Sequence, residues 1–146
     1  MAKASVCVLM CVMRDAHWSC SATSGGAVMT FTSVPRCVRI SGTASVDEYG
    51  NSIHIGDFRA QTWRTLRNVT ALLESEGASW KDVVRTTCYL RDIERDYAAF
   101  NEIRTQFYKE QGLDPLPAST GIQAILCRPD LLVEMEAIAM FIPGKE

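Results

Sequence analysis

A glutamate stands between two apolar residues near the end of the chain, in the run Val133-Glu134-Met135-Glu136-Ala137-Ile138-Ala139. A carboxylate in partly dry surroundings loses hydration, so its pKa rises and it can exchange protons near neutral pH. Period-two alternation puts Glu134 and Glu136 on one face of a strand, and the plainer alternative is a pair of solvent-facing or subunit-seam glutamates. Upstream, Cys127-Arg128-Pro129-Asp130 reads as a turn in which Arg128 is expected to be merely solvated. Cys127 is either a small buried hydrophobe at a strand end or a reactive thiol. Asn101 is either a pocket amide or a helix-edge amide that satisfies a loop.

The six cysteines, at 7, 11, 20, 37, 88 and 127, form no Cys-x-x-Cys pair. His17 and His54 have no neighbouring ligand residues at metal spacing. Free thiols, a reducing cytoplasmic compartment, no structural metal and no cofactor are therefore expected.

Chemistry of this kind needs a scaffold, and 146 residues with 47% hydrophobic and 22% charged side chains suit one folded domain. The formal charge is −2, and the 15 Lys and Arg are scattered rather than gathered into a stripe, which disfavours nucleic-acid binding. The apolar run Val6 to Met13 after Lys3 loosely imitates a secretory leader, yet it is too short to span a bilayer and its valines suit a strand. Residues 14–27 read as a loop.

Beyond that loop, Ala27 to Ser33 and Arg36 to Thr43 read as a hairpin-like pair of strands around Pro35. Gly50-Asn51 and Gly56 supply turn chemistry, and Asp57 is placed to cap a helix. From Phe58 to Glu76, Trp63, Leu66, Val69 and Leu73 recur at helical spacing, and Gly77 stops the helix. Val83 to Leu90 reads as a strand. A second helix runs from about Ile93 to Gln111 with Phe100, Ile103 and Phe107 on one side and Gly112 as terminator. After Pro115 and Pro117, Thr120 to Leu126 and Leu131 to Phe141 are two closing strands.

The order β-β-β-α-β-α-β-β predicts an α+β domain, a single mixed sheet covered on one face by two helices. The second face of such a sheet must be buried elsewhere, and other copies of the same chain in a closed symmetric oligomer are the simplest cover.

Ile40-Ser41-Gly42, the helix from Ala60 through Asn68 to Leu73, Tyr97-Ala98-Ala99-Phe100-Asn101, Pro117-Ala118-Ser119 and the closing Val133 to Ala139 together resemble the RidA/YjgF (reactive intermediate deaminase) family, also described as endoribonuclease L-PSP. The resemblance spans about residues 27–142, leaving 1–26 as an atypical extension of strand plus loop on a single domain. It implies a homotrimer with small-molecule pockets between subunits, no nucleic acid and no membrane. It places the family's water-activating glutamate on Glu134, pocket-lining positions on Ser41, Gly42 and Asn101, and Phe31 where a tyrosine is common. The family's carboxylate-clamping arginine falls on Ser119, and a hydroxyl does not replace a bidentate guanidinium, which tells against the family's imine deamination.

A second, local resemblance is to the C-terminal half of chorismatases, larger enzymes with a similar Cys-Arg-x-x-Leu-Leu-Val-Glu run and a Ser-Gly-Thr-Ala-Ser motif, here Cys127 to Glu134 and Ser41 to Ser45. It adds Cys127 to the candidate pocket. Three functions compete: a small-molecule hydrolase using Glu134, a non-catalytic ligand-binding or chaperone-like trimer, and an endoribonuclease, for which the chain offers no basic groove, His pair or aromatic platform.

Overall fold

The computed structural model describes residues 11–13 and 35–142. The elements are β1 (Cys11–Met13), β2 (Arg36–Ala44), α1 (Phe58–Ser75), β3 (Val83–Leu90), α2 (Ile93–Glu110), β4 (Ala118–Gln123) and β5 (Val133–Phe141), with one 3-10 turn at Trp80–Asp82. Phe31 and the expected strand Ala27 to Ser33 lie outside the described residues.

Both long helices start as the sequence predicts. The Asp57 carboxylate accepts from the Ala60 N–H, and that of Asp92 from the Arg95 N–H, so each satisfies a donor that the first turn leaves free. Gly77 and Gly112 follow their ends at φ of +73° and +63°, the left-handed region where glycine carries no penalty. The buried stripe of α1 is Phe58, Thr62, Thr65, Leu66, Val69 and Leu73, and that of α2 includes Phe100, Ile103 and Phe107.

The sheet order is β1-β2-β5-β3-β4, antiparallel except for β3 and β4. It is the single mixed sheet the sequence implies. The strand paired with β2 on its outer side is β1, in register Cys11 to Arg39. The two closing strands are not neighbours: β5 enters between β2 and β3, while β4 runs parallel to β3 at the edge and spans Ala118–Gln123, shorter and earlier than Thr120 to Leu126. A central strand needs backbone partners on both sides. The alternating β5 finds them in β2 and β3, whereas β4, exposed or half-exposed throughout, is left outermost.

Alternation along β5 divides the sheet into two chemistries. Val133, Met135, Ala137 and Ala139 are buried in one cluster with Val38 and Ile40 of β2, Cys88 and Leu90 of β3, and the stripes of both helices. Glu134, Glu136 and Ile138 point the other way with Arg39, Arg85, Thr87 and Tyr89, onto a face that no described element covers.

The 124–132 connection delivers the chain to β5 and is held from below. Gln61 of α1, with no exposed surface, donates to the Asp130 carbonyl at 2.8 Å and accepts from the Leu132 N–H at 2.8 Å. Arg91 donates to the Leu131 carbonyl at 2.6 Å and to that of Arg128. Arg128 is not the freely solvated residue the sequence suggests, because its guanidinium donates to the Gly50 carbonyl at 2.7 Å and ties two loops together. Replacing Gln61 by the similarly sized Leu strands two loop groups, so Gln61→Leu is expected to cost about 2 kcal/mol. Urea unfolding checks this, and an unchanged midpoint would show that the loop is held by other means.

Candidate functional site

Between Ile40 and Thr43, β2 passes three residues while β5 passes two, from Ala137 to Met135. This bulge holds Ser41 and Gly42, an irregularity of the kind that re-aims side chains. Its far side is fixed by Thr43 Oγ1 donating to the Ser41 carbonyl at 2.9 Å, and by Asn68 Nδ2 donating to the Ala44 and Val46 carbonyls.

The bulge brings Gly42 against Glu134. A Cβ at position 42 would lie 1.8 Å from Glu134 Oε1, so the carboxylate occupies the space that glycine leaves. Cys127 Sγ lies 4.0 Å from Glu134 Oε2, and the thiol is exposed rather than buried; Leu126 is the residue that packs inward there. Glu134 is half-buried and has no cation within 4 Å among the described residues. Burial first, and the charge of Glu136 second, hold its pKa above the ordinary glutamate value.

Glu136 is held differently. Tyr89 donates its hydroxyl to Glu136 Oε2 at 3.0 Å, and burial together with that bond raises the phenol's pKa. Glu136 also lines a cavity of about 340 Å³ on the uncovered sheet face, with Arg39, Ser41, Arg85 and Thr87. Of the two glutamates, only Glu134 stands next to a thiol and a bulge and has no stronger partner.

Asn101 and Ser119 form a second group on the other side of the sheet. Ser119 accepts from Thr86 at 3.1 Å, a buried residue of the helix-covered face, while its neighbour Thr120 accepts from Arg85 on the uncovered face. Asn101 and Ser119 are joined by a residue outside the sequence-predicted set. Arg104, on α2, donates to Ser119 Oγ at 2.9 Å through Nη1 and to Asn101 Oδ1 at 2.7 Å through Nη2. Asn101 therefore serves an arginine one helical turn away rather than a loop. The available signal was the three-residue spacing of Asn101 and Arg104, which puts them on one helix face.

The structure thus brings Ser41, Gly42, Cys127 and Glu134 together, and separately Asn101 with Ser119. Cys88 lies beneath the second group, fully buried, and desolvation pushes its thiol up to about 11, which makes it an inert core residue. Cys37, Cys88 and Cys127 are all free. No group of three His, Cys, Asp or Glu among the described residues is placed to hold a metal ion.

Two measurements test the Glu134 environment. Gly42→Ala is expected to push the carboxylate outward, costing about 1–3 kcal/mol and returning its titration toward the ordinary range, as followed by side-chain NMR. With a raised folded pKa, the folded state binds more protons than the unfolded one above about pH 4.5, so this group's contribution to stability falls as pH rises through the folded value. Glu134→Gln should remove that fall, by less than about 1 kcal/mol because the group is only half-buried. A pH–stability profile that does not change in Glu134→Gln would contradict the assignment.

Comparison with known proteins matches this architecture. The endoribonuclease L-PSP family model matches residues 27–141. A RutC family protein of Pyrococcus abyssi is 37% identical over 100 residues, 68% of this chain and 75% of its own length. The 3-aminoacrylate deaminase RutC of Acinetobacter baylyi is 33% identical over 108 residues, 74% of this chain and 82% of its own. Among solved structures, the YjgF gene product of E. coli superimposes with a TM-score of 0.63 at 30% identity, covering 70% of this chain and 79% of that one. E. coli TdcF with bound serine gives 0.64 at 28% identity, covering 82% and 91%. The chain belongs to the RidA/YjgF family, the group described as endoribonuclease L-PSP.

Proposed function

We propose that the protein is a small-molecule hydrolase whose pocket is completed by a neighbouring copy in a homotrimer, working in a reducing, cytoplasmic compartment. The observation that carries this reading is Glu134, half-buried without a cationic partner and seated in the gap left by Gly42. In that setting the carboxylate takes a proton from a bound water as the water attacks an electrophilic carbon, then returns it to the departing group. Ser41, Gly42 and the Cys127 thiol form the wall around the reacting atoms.

The need for a second copy follows from the sheet. Asn101 and Ser119 stand on the helix-covered side and Glu134 on the uncovered side, so one pocket drawing on both groups requires another subunit. The uncovered face and the outer edge of β4, which among the described residues pairs only with β3, offer surfaces for such a neighbour. The deaminase activity named for RutC and the serine bound to TdcF favour small polar metabolites as the ligand class.

Ser119 in place of an arginine favours a second reading, a ligand-binding or chaperone-like trimer without turnover. The two separate by assay. Purified protein is incubated with 2-iminobutyrate generated in situ, with chorismate and with single-stranded RNA, and Glu134→Ala is run beside it. The chorismate arm follows from the Ser41 to Ser45 and Cys127 to Glu134 motifs. The hydrolase reading expects turnover of a small molecule that falls by about 10²–10⁴ in Glu134→Ala. No turnover, but a melting temperature raised by small carboxylates, would favour the binding reading. RNA cleavage, or a compact monomer by light scattering, would overturn both.

A further inference from the structure

We infer that Tyr89 decides which of the two β5 glutamates carries the exchangeable proton: by tethering Glu136 it leaves Glu134 as the one that trades a proton with bound water. This deepens the hydrolase reading above and rests on it. Tyr89 is a positioning residue, because it acts on Glu134 through Glu136.

Glu134 and Glu136 lie two positions apart on one face of the strand, so their side chains leave it about 7 Å from each other. Ionising one makes the other harder to ionise, and the surroundings of each then set where a shared proton sits. Tyr89 breaks the symmetry. In the register of β3 with β5 it stands directly opposite Glu134, while Thr87 stands opposite Glu136. Its hydroxyl nevertheless passes the facing residue and donates to the diagonal one, reaching Glu136 Oε2 at 3.0 Å. A hydroxyl donor favours the charged form of the carboxylate that accepts from it. Among the described residues Glu134 is given no such donor, only the Cys127 thiol at 4.0 Å.

The other charged or titratable groups facing this pair are Cys37 and Arg39 on β2 and Arg85 on β3. Neither guanidinium comes within 4 Å of either glutamate, and Arg85 donates instead to Thr120 Oγ1 at 3.2 Å. No described cation therefore competes with Tyr89 for Glu136. Burial and the charge of Glu136, in that order, hold the pKa of Glu134 up, which is the sign this arrangement requires. A group that must take a proton from water and return it works best when its proton affinity lies near the ambient pH. With the tether gone, Glu136 shares the proton and Glu134 ionises at lower pH.

Side-chain carboxyl NMR on the full-length protein follows this directly, with Glu134→Gln identifying the signal. Tyr89→Phe, which removes the hydroxyl and keeps the ring, is expected to lower the Glu134 midpoint by about 0.5–1 pH unit, and Glu136→Gln to lower it at least as far. In the Glu136→Gln background, Tyr89→Phe should do nothing further, a result that loss of packing alone does not produce. An unchanged midpoint in Tyr89→Phe would overturn the inference, as would the same shift with and without Glu136. The acid limb of the kcat/KM pH profile should move with the midpoint in Tyr89→Phe. Retained turnover in Glu134→Gln defeats the hydrolase reading with the midpoint shift intact, whereas an absent shift defeats the tether with the Glu134 dependence intact.

Discussion

Everything in this domain turns on β5 being packed by the helices on one face while no other described element covers the second. A strand paired on both edges but packed on one face must send alternate side chains into oil and into the open, and the chain supplies aliphatics and glutamates in that rhythm. The helices fill one side with Phe100, Ile103, Leu66 and their neighbours. The carboxylates are then confined to the other side, where the bulge in β2 sets Gly42 beside Glu134 and leaves room for it. Fold and site are therefore one arrangement: the alternation that builds the core also sets the glutamates on the face away from it.

The second consequence is a division of labour across the sheet. Polar groups on the helix side, Ser119, Thr86, Asn101 and Arg104, are linked by hydrogen bonds into a rigid set. Among the described residues, Glu134 has only a sulfur at the limit of contact. The rigid set is suited to holding a ligand and the loosely held carboxylate to moving a proton, which are different demands on a side chain.

Much of this was legible in the sequence. Helical periodicity, the Asp57 cap and the two terminating glycines mark both helices almost to the residue, because those signals are local. The partners of strands are not local, so nothing within the closing run itself tells that β5 enters between β2 and β3 while β4 takes the edge. The site divided in the same way. Glu134 could be singled out from its apolar flanks, whereas Gly42 gained its meaning only from a carboxylate ninety-two positions away, and Arg104 only from a serine on a different element. Arg128 erred in the opposite direction, since a turn residue expected in solvent proved to be a tether.

The close approach of Gly42 to Glu134 also constrains how this protein can change. With 1.8 Å between a hypothetical methyl and the carboxylate oxygen, the two positions compete for one volume. A larger residue at 42 is accommodated only when the acid at 134 swings outward, is shortened or is lost, so a change at either position resets the other. A lineage that abandoned proton transfer would find position 42 newly permissive, so the residue there is a witness to whether the acid is still in use.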